Sequence, residues 1–565
     1  MPQEPAATSP RTVPLLIAAG FALRLWVAMR AGIIEHDGAY YAGLAAALLR
    51  GDHAHGWSTV WPPLYPVLVA AAAWPFAAAH MLSPERLEIA ARLVSVIAGT
   101  VVLALLHRWT RRMAGERAAL VALAVAAFHP RLVQYSASAL TEMTFIALLL
   151  AGLVLIAAGD TRTEDGSAAP ESDRVRRSFA ASSAGSDLAG GAAFGLACLA
   201  RPEGAVLAAA VAMALAVRGL RAKRRNMRFA FALGVLVAVA PWAGFLSAEL
   251  GHVSLGEKGA YNFWREFKPE YRAHFGDPPG LSERVFESPE LAAAIPPVTV
   301  DVVGFVRAEP WLVITRSLGR LVRIVTQSMP QACYPVWFVI AILGIPSLVR
   351  PAWWPAAAML VALPILYAPF SADRRFFVPA VPLLLALVPA GIERLATWVA
   401  PPARRAWLSG ALAIALGLAG LVYTMIHPLM DDAPEHREAG RWLRAAWPGL
   451  AGDAASPSNP PAVSSSAPYA RMPAARPVVM SRKTWVAFYS GGIIAELPEG
   501  GLDSVLSRAR RKRADVLVVD ERWAAPNRPE LAPLLDPALA PPSLRVLKVI
   551  DTPRRLVLYD LRAAR

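Results

Sequence analysis

The chain has 565 residues, of which 56% are hydrophobic and only 18% charged, with a mean hydropathy of +0.41. These values exclude a soluble multidomain chain, a disordered or fibrous one and a disulfide-stapled one, and they describe a polytopic membrane protein. The 57 Lys and Arg against 42 Asp and Glu leave a net charge of +15, which in such a protein reports loop orientation before it reports nucleic acid. The two cysteines, Cys198 and Cys333, lie in or beside apolar runs and read as core fillers rather than a redox pair.

The first apolar run, 12–30, follows a short polar tail and lacks a small-residue cleavage site, so it reads as a retained signal anchor. It contains Arg24, the one clear charge deep within a predicted span. Further spans are predicted at 88–107, 118–136, 139–158, 188–200, 203–218, 229–248, 333–349, 354–370, 377–394 and 408–427, about eleven in all. Three basic patches then assign sides: Arg108, Arg111, Arg112 and Arg117; Arg218, Arg221, Lys223, Arg224, Arg225 and Arg228; and Arg394, Arg404 and Arg405. The positive-inside rule places all three in the cytoplasm. The run Pro62 to His80 is apolar enough to cross, but it holds Pro62, Pro63, Pro66 and Pro75, and a crossing there would put the first patch outside. It reads instead as juxtamembrane helix within a first outer loop, 31–86. Residues 188–218 read as a hairpin turning at Pro202, because one long helix would bury Arg201 and Glu203 near mid-membrane.

Between the spans, 160–187 is rich in Ser, Ala, Gly, Asp and Arg without a hydrophobic period, as a flexible cytoplasmic linker would be. An outer loop, 250–332, carries Tyr261, Asn262, Phe263, Trp264 and Arg265. It includes an amphipathic helix near 311–327 whose Arg316, Arg320 and Arg323 read as a solvated or headgroup-facing stripe. After residue 428 the hydropathy falls. A helix is predicted over Glu435–Trp447 and a Pro/Ser/Ala-rich linker over 449–476. Short strands follow at Val478–Met480, Trp485–Tyr489, Val516–Val519, Leu544–Ile550 and Leu556–Tyr559, around a helix near 502–513. The fold class is therefore mainly α: a membrane domain over 1–430 and a small α/β domain over 431–565 on the outer side. No internal repeat of fixed period is visible, which weighs against an inverted-repeat transporter.

This topology gathers ionisable residues at one membrane surface. Asp37 lies just past the first span, Glu142 at the start of the fourth, Arg201 and Glu203 at the hairpin tip, and Arg374 and Arg375 at the opening of the tenth. Carboxylates beside arginines at a dry boundary suit a phosphate-bearing lipid and a proton-accepting step. Plainer roles exist for each. Asp37 could cap the helix that follows it, and Glu142 could serve its helix dipole. Arg201 with Glu203 could be a structural ion pair, and Arg374 and Arg375 interfacial anchors. His36, His53 and His55 beside Asp37 and Asp52 are residue types that hold zinc, but they lack tight ligand spacing, so no metal or other cofactor is predicted.

At these residues a family resemblance emerges. Asp37, Tyr41, Ala45 and Gly51 match the D-x3-Y-x3-A-x5-G pattern in the first outer loop of GT-C glycosyltransferases, and Trp61-Pro62-Pro63-Leu64-Tyr65-Pro66 is similar to the stretch that comes after it there. Leu199 to Gly204 resembles the family's RPEG turn, Arg375-Phe376-x-x-Pro379 its R-Y/F-x-x-P motif, and Trp485 to Gly491 its C-terminal domain. Relatives include protein O-mannosyltransferases and lipid A aminoarabinose transferases. The resemblance implies a polyprenyl-phosphate-linked monosaccharide donor and inverting transfer to a lipid, glycan or protein acceptor outside the cytoplasmic (inner) membrane. It implies Asp37 and Glu142 as catalytic acids, with Tyr41, Arg201, Glu203 and Arg375 contacting substrate. Two departures stand out: Gly38 replaces a second acid found in many relatives, and Trp61 replaces the lysine of aminoarabinose transferases. The competing expectations are a lipid-linked-sugar transporter or flippase and a non-enzymatic envelope-assembly protein.

Overall fold

The computed structural model describes residues 11–164, 173–221, 227–428, 432–452 and 476–564. Several sequence expectations lie outside the described residues: the polar tail, 165–172 of the 160–187 linker, Lys223, Arg224 and Arg225 of the second basic patch, and 453–475 of the later linker.

The protein is mostly helical, as a chain that must satisfy its backbone hydrogen bonds within each segment has to be in lipid. Among the described residues, four helices are long and apolar enough to cross a membrane alone: Thr12–Arg30, Pro84–Ala114, Phe229–Leu250 and Pro402–Ile426. Three bent helix pairs raise the number to as many as seven. Four of the other expected spans correspond to shorter apolar helices, Glu142–Ala158, Ala184–Ala200, Gly204–Leu220 and Pro351–Tyr367. Each of the expected spans thus has a helical counterpart among the described residues, while length alone supports four to seven crossings. The hairpin forms as expected: one helix ends at Ala200, the next begins at Gly204, and Arg201 to Glu203 make the turn.

Two of the bends are held by arginines. Glu116–Phe128 and Pro130–Ser136 meet at 59°, because Pro130 cannot donate the hydrogen bond that would continue the first helix. The carbonyls left over are taken by Arg24, which is fully buried. Its guanidinium donates to Ala127 O at 2.9 Å, Ala126 O at 3.3 Å, Gly20 O at 2.9 Å and Ser136 Oγ at 3.1 Å. The charge buried within the first helix is a cap for a broken one. At the second bend, Pro310–Cys333 turns into Pro335–Val349 at 110° through Tyr334, which adopts a left-handed φ of 59°. A bulky residue holds that conformation only when its surroundings fix it. Here Arg131 lies 5.0 Å over the Tyr334 ring, and Tyr423 and Trp337 pack against it.

The structure corrects three expectations. Residues 173–187 are helical and continue to Ala200; packing of that helix against its neighbours prevails over the weak helix propensity of its Ser and Gly residues. Arg316 and Arg320 are not a free stripe on the amphipathic Pro310–Arg323 helix. Arg316 pairs with Glu270, while Arg320 lies 2.6 Å from Glu266 and donates to Pro369 O at 3.0 Å, which pins the outer loop down. Trp485–Ser490 is a helix rather than a strand, closed by Gly491 at φ 69°, the left-handed C-terminal cap that glycine favours. The aromatic run was too short to show either period.

The missing strand comes next. The five-stranded sheet comprises β1 (Val478–Ser481), β2 (Ile493–Glu496), β3 (Val516–Asp520), β4 (Arg545–Ile550) and β5 (Leu556–Asp560), in the order β2-β1-β3-β5-β4. β1 runs parallel to β2 and β3, with Val479 opposite both Ile494 and Val516. β5 is antiparallel to β3 and β4. The Leu502–Lys512 helix precedes β3, and the Pro434–Gly452 helix packs against Trp485–Ser490.

The apolar Leu64–Ala78 helix packs against His36–Leu49 and Pro84–Ala114, and exposed Ala54 and Met81 flank it. Single cysteines at these two positions, in a background lacking Cys198 and Cys333, are expected to react with an impermeant thiol reagent from the same face of sealed vesicles. Labelling from opposite faces would make the helix a crossing and invert the sides assigned to everything after it.

Candidate active site

Four chain segments distant in sequence deliver the expected charges to one place. The His36–Leu49 helix begins after Glu35 and carries Asp37 in its first turn, where the positive end of the helix dipole favours a carboxylate. Glu142 is the first residue of Glu142–Glu164. Arg201 and Glu203 form the hairpin turn, and Arg375 lies in the short 3-10 helix Arg374–Ala380, whose start is capped by the Asp373 carboxylate accepting Arg375 N–H at 2.9 Å.

The side chains alternate in sign. Arg375 Nη1 lies 2.8 Å from Asp37 Oδ2 and its Nε lies 2.6 Å from Glu142 Oε1. The same Glu142 oxygen accepts from Arg201 at 2.9 Å. Arg201 also pairs with Glu203, which accepts from the Tyr367 hydroxyl at 2.6 Å. Glu142 is fully buried, and its second oxygen has no hydrogen-bond partner among the described residues. Asp37 retains 16% side-chain exposure and Arg375 29%. The plain helix-capping role for Asp37 fails, because its carboxylate is committed to Arg375 and not to backbone amides. Asp37, Glu142, Arg201, Glu203 and Arg375 belong to one connected network, while Arg374 lies outside it on the cavity wall.

Tyr41 stands beside that network, not in it. Its ring is buried and meets Trp61 and Tyr65, each at 5.3 Å between centroids, while Tyr40 stacks on Trp61 at 4.9 Å. On this aromatic wall lies a residue that sequence reasoning missed. Lys258, from the outer loop, places its Nζ 3.5 Å from the Trp61 ring centre and 3.9 Å from Asp37. An ammonium over an indole face is a favourable cation–π arrangement. No motif marks Lys258; its one signal is a position in an outer loop rich in aromatic and charged residues. Burial pulls its pKa down to about 8, against the opposing pull of Asp37. Burial would raise the pKa of Asp37, but the charges of Lys258 and Arg375 outweigh it and hold the carboxyl well below the usual carboxylate range.

Asp37 and Arg375 open onto a cavity of about 620 Å³ that is also lined by Arg131, Arg374, Lys483 and Tyr334. It is rich in cations and bounded on one side by the strained Tyr334 bend. Of His36, His53 and His55, only His36 lines it. His36 faces Thr484 at 3.2 Å and His55 pairs with Asp52 at 3.0 Å. Among the described residues no three His, Cys, Asp or Glu side chains are placed to hold a metal.

The Gly38 departure has a steric reason. A Cβ at this position would meet Ala139 O at 2.6 Å and Ala139 Cβ at 3.0 Å, so the helices carrying Asp37 and Glu142 approach too closely for a side chain. The Trp61 departure is answered by Lys258, which brings an ammonium to this wall from about two hundred residues away.

The same architecture occurs in solved structures. AglB, the oligosaccharyltransferase of Archaeoglobus fulgidus in complex with an inhibitory peptide and a dolichol-phosphate, aligns over 91% of this chain and 69% of its own, at 15% identity and a TM-score of 0.55. ArnT from Cupriavidus metallidurans aligns in its apo state over 98% of both chains, at 15% identity and a TM-score of 0.54. Its undecaprenyl phosphate complex aligns over 97% of this chain and 98% of its own, at 14% identity and 0.53. Both are GT-C proteins, and this chain has the GT-C fold. No family model and no curated protein sequence matches it.

Filling the Gly38 contact provides a test of how tightly the site is set. Gly38→Ala is expected to destabilise the protein by about 1–3 kcal/mol, the usual range for overpacking, read as a lower unfolding midpoint in detergent. An unchanged midpoint would mean that the two helix starts are free to separate.

Proposed function

We propose that the protein is an inverting glycosyltransferase that moves a monosaccharide from a polyprenyl-phosphate-linked donor to a lipid, glycan or protein acceptor at the outer face of the inner membrane. The observation that carries this reading is the convergence of Asp37, Glu142, Arg201 and Arg375, with a partly exposed carboxylate and guanidinium facing a cation-lined cavity. The undecaprenyl phosphate bound to ArnT and the dolichol-phosphate in complex with AglB support a lipid phosphate as its ligand.

In the proposed reaction the acceptor oxygen bonds to the anomeric carbon from one face. The bond from that carbon to the phosphate oxygen breaks on the other, and the electron pair leaves with polyprenyl phosphate. The acceptor's proton passes to Asp37. Arg375, and Arg201 behind it, bind the leaving phosphate, whose charge grows as the bond breaks. A planar guanidinium pairs with two phosphate oxygens and stays ionised at any working pH. Glu142, fully buried, acts by holding both guanidinia in place.

The pairing that keeps Asp37 ionised also makes it a weak base. The phosphate resolves this by competing for Arg375: as the guanidinium turns to the leaving oxygen, the carboxylate loses a partner and gains basicity at the step that needs it. Lys258, held between Asp37 and the buried Trp61 ring, adds its charge to the cations that attract the phosphate.

Asp37→Asn keeps size and hydrogen bonding but cannot take the proton. It is expected to lower turnover by about 10²–10⁴-fold, measured as release of polyprenyl phosphate from lipid-linked sugar extracted from a deletion strain, with expression and membrane insertion unchanged. Near-normal release would remove Asp37 from the mechanism.

Lys258 sets a pH limit. Its charged form is disfavoured by burial, so the charge is present below about pH 8 and is lost as pH rises through that value. The affinity of the free protein for undecaprenyl phosphate is therefore expected to fall several-fold between about pH 7 and pH 9.5, and Lys258→Arg is expected to flatten the fall because arginine keeps its proton throughout. An equally steep fall in Lys258→Arg would assign the limb to another group.

A further inference from the structure

Two residues before Asp37 lies a second buried charge cluster that the proposed reaction does not use. Its centre is Arg92 on the Pro84–Ala114 helix, 5% exposed. The guanidinium donates to Ala137 O at 2.7 Å, to Ile33 O, and to Glu88 at 3.0 and 3.1 Å, and it lies 3.4 Å from Glu35. Glu35 in turn accepts the Ala139 N–H at 2.7 Å. One guanidinium and one carboxylate therefore tie together the two segments that lead into the helices bearing Asp37 and Glu142.

The cluster also reaches the C-terminal part of the chain. Glu88, 3% exposed, accepts from Arg437 at 2.6 and 2.8 Å and from the Tyr489 hydroxyl at 2.8 Å. The Tyr489 oxygen itself accepts the Ile34 N–H at 2.8 Å and an Arg437 N–H at 3.1 Å. Arg437 belongs to the Pro434–Gly452 helix and Tyr489 to the helix between β1 and β2. Two adjacent residues of the loop before Asp37 are thus held from two sides, Ile33 by Arg92 and Ile34 by Tyr489. A buried polar network of this kind is rigid only while every member is satisfied.

We propose that Tyr489, Glu88 and Arg92 are positioning residues. By seating the C-terminal sheet unit they fix the Ile33–Glu35 loop, and through it the Asp37 carboxylate and its distance from Glu142. Lipid-phosphate binding at Arg375 and the seating of Tyr489 are then coupled, and the coupling is reciprocal. This rests on reading the site as one that binds a lipid phosphate.

The test uses the full chain in nanodiscs, hydrogen–deuterium exchange, and undecaprenyl phosphate as the probe. Tyr489→Phe removes a single oxygen and is the mild variant; Arg92→Lys keeps the charge but not the fork. In Tyr489→Phe, exchange in peptides covering 32–39 and 137–142 is expected to rise roughly threefold to tenfold, with exchange in β3 and the unfolding midpoint unchanged. In the wild type, undecaprenyl phosphate is expected to slow exchange over 485–490; in Tyr489→Phe that protection is expected to vanish while lipid affinity stays within about threefold. A purely structural tyrosine would not move this second readout. Unchanged exchange at 32–39 in both variants, or equal lipid protection at 485–490 with and without the hydroxyl, would overturn the proposal. If the wild type does not bind undecaprenyl phosphate, the glycosyl-transfer reading fails by itself, and exchange at 32–39 and 137–142 still decides the positioning role.

Discussion

A carboxylate with no solvent exposure cannot stand alone, and Glu142 dictates much of this structure. Taking a charge out of water costs several kcal/mol even after relaxation, so its neighbours must supply charge and hydrogen bonds in return. Arg375 and Arg201 do so, and each then requires a further acid, Asp37 and Glu203. With Lys258 included, three carboxylates face three cations and the cluster closes near neutrality. Four chain segments that share no sequence neighbourhood must therefore end at one point. The close helix start at Gly38, the turn at Pro202 and the 3-10 helix at Arg374 all serve that meeting.

Much of the site was legible because each member lies at a boundary that the sequence marks. Asp37 follows an apolar run, Arg201 sits at a proline turn, and Arg375 and Glu142 open apolar segments. The positive-inside rule then gave all of them one side, although it could not say that they touch. Lys258 was not legible. Its partners Trp61 and Asp37 lie about two hundred residues away, and nothing within its own loop distinguishes it from Lys268. The Arg92 cluster was hidden for a related reason. Glu88 and Arg92 look like an ordinary i, i+4 pair on a helix, and only the folded chain brings Glu35, Arg437 and Tyr489 to them.

The errors in secondary structure have equally local causes. Trp485–Ser490 contains residues that favour strands, but tertiary packing against the Pro434–Gly452 helix prevails over propensity in so short a run. Residues 173–187 lack an apolar stripe, and stripe-based reasoning misses a helix whose side chains are mostly small. The same logic explains why helix length alone gives four to seven crossings where hydropathy reads about eleven. Pro130 and Pro335 open the second helix of two bent pairs, so a run that reads as one crossing in hydropathy is two helices in space.

The role of Arg24 has a consequence for how the protein is made. Every hydrogen-bond acceptor it uses outside its own helix lies 102 to 112 residues further along the chain. The first helix therefore enters the bilayer during synthesis with an uncapped guanidinium, a placement that costs roughly 2.5–3.5 kcal/mol on insertion scales. Until residues 126–136 emerge from the ribosome, that helix has reason to keep Arg24 near water or within the insertion machinery. Its final depth is a late event, set by the arrival of the bent pair Glu116–Phe128 and Pro130–Ser136, whose loose carbonyls it closes.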